Sequence, residues 1–191
     1  MQIKKININK TYYKVLNKNE QHYGLKYKIG MNIDILPFDD NPRHCCCKGR
    51  IYFTTLENLP LFFGYGCWIR PVTITKDAKV IIDPTGDKIG ADKVILGKRI
   101  SVKQYFDTLF DPDKFEWRYH SDHLALYASK YFDKWFDPEK FNYYHHSYTL
   151  PMYCSKHFTK WFYPNKFNWE QSWALEKYCL KYKHIWIKHN K

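Results

Sequence analysis

The C-terminal half of the chain carries an apolar stripe with helical spacing. After Ser121, apolar side chains recur at every third or fourth position, namely Leu124, Tyr127, Ala128, Tyr131, Phe132, Trp135 and Phe136. This spacing predicts one long α-helix with Ser121 as its N-cap. We expect the helix to end near Phe136, because Pro138 disfavours helical geometry at Asp137. A single turn that carries Phe141 should follow.

The same pattern occurs three times between residues 105 and 187. The copies read YFDTLFDPDKFEW from 105, YFDKWFDPEKFNY from 131 and HFTKWFYPNKFNW from 157, and their prolines are 26 residues apart. Two equivalent sets of positions form the predicted repeat core: Leu124, Leu150 and Leu175, and Trp135 and Trp161. A unit of this length is shorter than the roughly 33 residues of an ankyrin repeat. It suits an α-helix alternating with a 3₁₀ turn in a short solenoid, capped by a C-terminal helix from Ser172 to Ile187.

The first hundred residues show a different pattern, in which short runs of β-branched and aromatic residues are separated by Gly, Pro, Asn or Asp. Strands are predicted at 12–16, 23–29, 31–36, 50–54, 68–74, 78–82 and 93–96, with one helix after Thr55 and another from Ser101 to Phe110. The predicted fold class is α+β. A small mixed antiparallel, β-rich domain (1–100) precedes a helical repeat domain (101–191) with three units and a capping helix.

The amino-acid composition agrees with a packed repeat array and indicates the kind of cellular compartment. Of the 37 aromatic rings, 26 lie in residues 101–191, and so many rings must line a core to avoid aggregation. No apolar run approaches the roughly 18 residues of a membrane helix, and the N-terminus lacks the apolar segment of a secretory signal. We therefore expect no membrane partner, and six free cysteines in a reducing compartment.

Positive charge gathers at the two ends of the chain. The net charge is +12, and residues 1–28 hold seven Lys against one Glu. The basic ends, which could meet an acidic partner, comprise Lys4, Lys5, Lys10, Lys14, Lys181, Lys183 and Lys188. Nucleic-acid binding through these ends is one hypothesis. The alternative is that the positive balance serves solubility.

Candidate chemistry is sparse. The run from His44 to Cys47 offers His44, Cys45 and Cys47 as metal ligands, but adjacent thiols lack the Cys-x₂-Cys spacing of zinc sites. We expect no metal and no cofactor. The phosphate-binding glycine loop, HExxH and GxSxG motifs are absent, so no catalytic residue is predicted.

Two resemblances add to this interpretation. The segment Trp-Phe-Asp-Pro-Glu-Lys-Phe-Asn at 135–142, with Gly49-Arg-Ile-Tyr-Phe-Thr in the N-terminal part, resembles uncharacterised repeat proteins of giant viruses of the mimivirus group. That resemblance implies a viral protein of the host cytoplasm, or of the virion, and carries no activity with it.

The second resemblance covers residues 12–97. Tyr27 and Gly30, followed by the 49–54 segment and a helix, are similar to small ADP-ribosyltransferase-like domains. The strand that would carry the glutamate of those enzymes reads Ala-Asp-Lys-Val-Ile from 91. The resemblance thus implies a degenerate or divergent nucleotide-binding domain, with candidate binding residues Tyr13, His22, Tyr52 and Thr54.

Three functional hypotheses follow. The absence of a catalytic set beside a repeat array favours a non-enzymatic interaction or structural module whose partner is a viral or host protein. Nucleic-acid binding through the basic ends is the second hypothesis. A nucleotide-binding N-terminal domain is the third.

Overall fold

The computed structural model describes residues 2–3 and 5–189, so Lys4 of the basic ends lies outside the described residues. The chain divides into two compact units, Met1–Lys114 and Phe115–Lys191. The first unit is rich in antiparallel strands and the second is built from short helices, which confirms the predicted α+β class.

Every strand pairing described in the first unit is antiparallel. The strands are β1 (Tyr12–Leu16), β2 (Gln21–His22), β3 (Leu25–Lys26), β4 (Gly30–Ile33), β5 (Ile51–Phe53), β6 (Trp68–Thr73), β7 (Val80–Ile82), β8 (Ile89–Ala91), β9 (Lys93–Leu96) and β10 (Ile100–Ser101). One sheet has the order β1-β6-β9-β4 with β10 also on β6, a second has the order β5-β8-β7, and β2-β3 is a hairpin. Ile51, Val72 and Ile89 are among the fully buried side chains of the core between them.

Most predicted strands are present, with β1 and β9 at the predicted bounds. Of the strand predicted over 23–29, only Leu25–Lys26 is present, because Tyr23 and Gly24 adopt positive φ angles of 47° and 85° and turn the chain between β2 and β3. The segment after Thr55 forms a 3₁₀ helix, Leu59–Tyr65, with Pro60 in its first turn. The short strand β8 was not predicted.

The helix predicted from Ser101 is α1 (Val102–Thr108), and it packs within the first unit. Ser101 and Gln104 form a capping box at its start. The rings of Tyr105 and Phe106 lie 5.3 Å and 5.7 Å from that of Phe63 in edge-to-face contacts. These contacts explain why the units separate after residue 114, whereas the repeat pattern in the sequence suggests a boundary at residue 100.

The second unit consists of short helical segments in series. They are α2 (Trp117–Ala128), α3 (Phe132–Trp135), α4 (Tyr143–His146), α5 (Thr149–Cys154), α6 (Phe158–Trp161), α7 (Trp173–Tyr178) and α8 (Lys183–Trp186). Four 3₁₀ turns lie among them: Ser129–Tyr131, Ser155–His157, Trp169–Gln171 and Leu180–Tyr182.

The prediction of a single long helix in each repeat was therefore wrong. A tryptophan indole explains why a 3₁₀ turn interrupts the helix. Phe132 N–H donates to Ser129 O, which leaves the carbonyl of Ala128 without its usual helical donor. The Trp135 indole N–H donates a hydrogen bond to that carbonyl oxygen at 2.9 Å. The same bond, seven residues apart, joins Trp161 to Cys154 O at 2.8 Å and Trp186 to Cys179 O at 3.2 Å. The C-terminal capping helix is interrupted for the same reason.

Ser121 is not the N-cap that the pattern suggested. It lies inside α2, fully buried, and its hydroxyl accepts the Asn142 N–H of the next repeat at 3.4 Å. Ser147 accepts the Asn168 N–H in the same way at 3.0 Å. The repeated serine thus ties each unit to the one that follows it.

Ring stacking joins successive repeats as well. Phe132 stacks on His157 with ring centroids 4.5 Å apart, and Phe158 stacks on Tyr182 at 4.3 Å. Leu124, Leu150 and Leu175 are fully buried where α2 packs on α5 and α5 on α7. Each repeat therefore covers apolar surface of its neighbour.

We predict that Trp135→Ala and Trp161→Ala each lower the free energy of unfolding by roughly 3–5 kcal/mol. Both indoles are buried, at 2% and 0% exposure, and truncation removes their packing as well as the bond to the carbonyl. At about 2–4 °C per kcal/mol for a chain of this length, the melting temperature should fall by roughly 6–20 °C. Lys134→Ala, at an exposed neighbouring position, should change stability by about 0.5 kcal/mol or less. Thermal melts check this, and a tryptophan variant that melts with the wild type contradicts the packing described.

Candidate functional site

A cavity of about 120 Å³ opens in the first unit, and it brings together the four residues that the sequence suggested for nucleotide binding. Tyr13 comes from β1, His22 from β2 and Tyr52 from β5, and Thr54 follows β5 directly. Tyr13 and Thr54 exchange backbone hydrogen bonds of 2.8 Å, which hold the two strand segments side by side. The volume is several times the roughly 10–15 Å³ that one water needs, so a small organic group can enter.

Lys14 is the most perturbed cation of the cavity wall. Its side chain is buried, its ammonium donates to Tyr52 O at 2.8 Å, and it lies 4.7 Å from the ring centroid of Tyr27. Burial lowers the pKa of Lys14 to about 7, against a smaller opposing effect of Asp34. Burial also lowers the pKa of His22, and Lys14 adds to that effect. Near neutral pH the cavity therefore holds an amine poised between its charged and neutral forms.

A second buried cation, Lys88, lines the same cavity and is paired with an acid. Its ammonium lies 3.1 Å from Asp83 Oδ1 and 5.7 Å from the ring centroid of Tyr52. The Tyr52 hydroxyl in turn accepts Cys47 N–H at 3.0 Å. Hydrogen bonds and attraction to Asp83 and Asp87 outweigh burial and raise the pKa of Lys88. This wall can offer hydrogen-bond donors to a small polar ligand.

The predicted metal ligands do not come together. His44 Nδ1 pairs with Asp39 Oδ2 at 2.8 Å, and the Cys47 thiol lies 3.3 Å from the Tyr52 hydroxyl. Only Cys45 of the three lies in a group with ligand spacing, and its companions are Cys46 and Asp83. A hydrogen bond with Cys46, followed by burial, raises the pKa of the Cys45 thiol to about 12.

Of the lysines of the basic ends that the structure describes, all but one are exposed. Lys5, Lys10, Lys181, Lys183 and Lys188 have exposed side chains, and Lys10 lies 3.7 Å from the Glu57 carboxylate. Lys14 does not belong with them, because its side chain is only 5% exposed and its ammonium is used inside the first unit. Among the described residues, no helix is long and apolar enough to cross a membrane.

Comparison with known proteins shows where the chain belongs. No family model matches it, and no solved structure does. The uncharacterized protein R869 of Acanthamoeba polyphaga mimivirus is 35% identical over 98 residues, which cover 49% of this chain and 70% of R869. The chain belongs to the same protein family as R869. This relationship confirms the giant-virus resemblance.

Other relatives of this R869 family member come from the same virus. "Putative ankyrin repeat protein R868" is 34% identical over 114 residues, 58% of this chain, and "Putative ankyrin repeat protein R896" is 31% identical over 107 residues, 54% of this chain. The chain spans 52% of the length of R868 and 29% of R896. None of the relatives that support the family is named as an ADP-ribosyltransferase, and that second resemblance is not shown.

Sequence reasoning missed Lys14, Lys88 and Asp83 as parts of the site in this R869 family member. A signal for Lys14 was present, because strand alternation places it on the same face of β1 as the buried Tyr12 and Leu16. Asp83 and Lys88 flank a turn and have no such periodic signal.

Lys14 gives a pH-dependent prediction. Its folded pKa lies below its unfolded value of 10.5, so between about pH 7 and 10 the unfolded chain holds a proton that the folded chain lacks. The free energy of unfolding should therefore rise with pH there, by roughly 1 kcal/mol per pH unit from this group. The Lys14→Met variant has no amine to titrate. Its free energy of unfolding relative to the wild type should therefore fall by roughly 1 kcal/mol for each pH unit. Denaturant unfolding of both proteins at pH 7, 8 and 9 checks this, and a constant difference contradicts the buried amine.

Proposed function

We propose that this protein is a non-enzymatic protein-interaction module, whose second unit binds a viral or host protein in the host cytoplasm. The observation that carries the proposal is a row of exposed tyrosines, one in each repeat. Tyr127, Tyr153 and Tyr178 are 41%, 38% and 36% exposed, although the apolar pattern had placed Tyr127 in the core stripe. They occupy equivalent positions on α2, α5 and α7, which pack in series, and we call these three residues the tyrosine row.

A tyrosine that recurs at equivalent surface positions of stacked repeats has the properties of an interface residue. Tyrosine is enriched at protein interfaces, because it brings a large contact area at a low cost in side-chain entropy and keeps a polar hydroxyl. Trp135, Trp161 and Trp186 in the same segments are buried, so the core of each repeat is filled without the exposed tyrosines. The row thus has the composition of a binding surface.

A parallel row of cations indicates the charge of the partner. Lys130, Lys156 and Lys181 each follow a row tyrosine by three positions and are exposed. Neighbouring packed helices lie about 8–10 Å apart, which matches three residues of extended chain at about 3.3 Å each. We infer that the partner presents an extended acidic segment, in which about every third side chain contacts one tyrosine of the row.

The relatives give independent support for the class of function. Three of them are named as putative ankyrin repeat proteins, and stacked repeats characteristically serve as extended binding surfaces. The unit here has 26 residues, so the support concerns the class of architecture and not an ankyrin unit. All six cysteines are free thiols, which suits a reducing compartment.

The row predicts where a partner contacts the protein. A photo-crosslinking amino acid at position 156 should capture a specific protein from infected-cell lysate, and the same residue at the exposed position 139 should not. Tyr153→Ala should weaken binding of the captured protein at least about fivefold, because truncation of an interface anchor costs about 1 kcal/mol or more.

Two outcomes contradict the proposal. Equal capture from positions 156 and 139 shows that the row is not the contact surface. Capture of RNA or DNA, competed by a single-stranded oligonucleotide and lost steeply with salt, assigns the lysines to nucleic-acid binding instead.

A further inference from the structure

Two adjacent thiols in the first unit point toward the same carboxylate. Cys45 and Cys46 are exposed free cysteines whose sulfur atoms lie 3.1 Å apart. The two sulfur atoms and one carboxylate oxygen of Asp83 all lie within 4.8 Å of one another. Ligand atoms around one tetrahedral metal ion, with bonds of about 2.0–2.3 Å, lie roughly 3.3–3.8 Å apart, so small side-chain movements bring all three atoms onto one ion.

The loop that carries the thiols is held by a buried guanidinium. Arg50 is 1% exposed and donates to Asp39 O at 2.7 Å, Asn41 O at 2.6 Å and His44 O at 2.9 Å. These bonds fix the backbone immediately before Cys45. A ligand pair on such a loop loses less conformational entropy when it binds a metal than a pair on a free loop.

Asp83 is oriented as metal-binding carboxylates usually are. It is 1% exposed, and its Oδ1 accepts Thr85 N–H at 3.2 Å, the Thr85 hydroxyl at 2.8 Å and the Lys88 ammonium at 3.1 Å. The other oxygen, Oδ2, accepts Cys46 N–H in a long contact of 3.3 Å, and the carboxylate also hydrogen-bonds with the Cys45 thiol. One oxygen is thus saturated by supporting groups, and the other faces the thiols.

We propose that Cys45, Cys46 and Asp83 form a zinc site, with Oδ2 of Asp83 and the two sulfur atoms as ligands. Two thiolates and one carboxylate carry three negative charges, which Zn²⁺ and the neighbouring Lys88 ammonium together neutralise. Binding releases the two thiol protons, so the affinity must rise with pH. Three protein ligands leave a fourth position for water, on the side of the cavity that Cys46 and Lys88 also line.

This ligand set differs from the one that the sequence suggested, and the difference can be tested. His44 and Cys47 are adjacent in sequence to the proposed ligands but are held by Asp39 and Tyr52. They are therefore matched controls, and the exposed Cys67 is a third.

The experiment titrates the full-length, metal-free, reduced protein with Zn²⁺ and with Co²⁺. We expect one Zn²⁺ per chain, and a cobalt complex with the near-ultraviolet band of thiolate-to-cobalt charge transfer. Cys45→Ser and Cys46→Ser should each weaken binding more than about 100-fold, because even loss of a supporting group costs about 10–100-fold. Thr85→Ala, which removes one support of Asp83, should fall within that smaller range.

The controls His44→Ala, Cys47→Ser and Cys67→Ser should bind as the wild type does. Loss of binding in His44→Ala or Cys47→Ser, absence of a thiolate band, or no zinc uptake by the folded wild type each overturns the proposal. Because Asp83 is buried, the Asp83→Asn variant is interpreted only if circular dichroism shows that it is folded. If it is not folded, the Cys45→Ser and Cys46→Ser variants decide the test.

Discussion

The second unit depends on one hydrogen bond, which occurs at Trp135, Trp161 and Trp186 between the indole and the carbonyl seven residues before it. The bond satisfies a backbone group that the 3₁₀ turn leaves without a helical donor, so the helix can pass into that turn inside the core at little cost. Phe132 and Phe158, which directly follow the turns, stack on rings of the following repeat. Each tyrosine of the row directly precedes a residue whose carbonyl accepts an indole N–H, so the proposed contact surface adjoins these bonds.

The first unit has a different organising constraint, which is the burial of positive charge. Arg50, Arg70 and Lys88 are all buried, and each is held by carbonyl oxygens or carboxylates. Lys14 is buried with no carboxylate in contact, which is why its pKa falls while that of Lys88 rises. Lys14 and Lys88 line the cavity together with His22 and Tyr52. This local chemistry is separate from the surface of the repeats, so the two proposals stand or fall independently.

The periodicity of the sequence predicted the features that depend on local spacing. It failed where a side chain replaces a backbone group in a hydrogen bond. The repeat, its buried Leu150 and Trp161, and strands such as β1 were all visible in the pattern. The break after Ala128 was not, because the stripe of a continuous helix and that of a helix with a 3₁₀ turn differ by less than one residue. Tyr127 satisfied the stripe, but it is exposed on α2 just before the break. The meeting of Cys45 and Cys46 with Asp83 depends on a loop held by Arg50, and no local pattern encodes it.

The most direct test replaces Trp161 with benzothienylalanine, which keeps the size of the indole but puts sulfur in place of its N–H. If the bond to Cys154 O holds the turn, the buried carbonyl loses its donor, and the free energy of unfolding should fall by roughly 1–3 kcal/mol. Amide hydrogen exchange should accelerate from Ser155 to Trp161. Stability within about 0.5 kcal/mol of the wild type, with unchanged exchange in that segment, would contradict the account and assign the indole a role in volume alone.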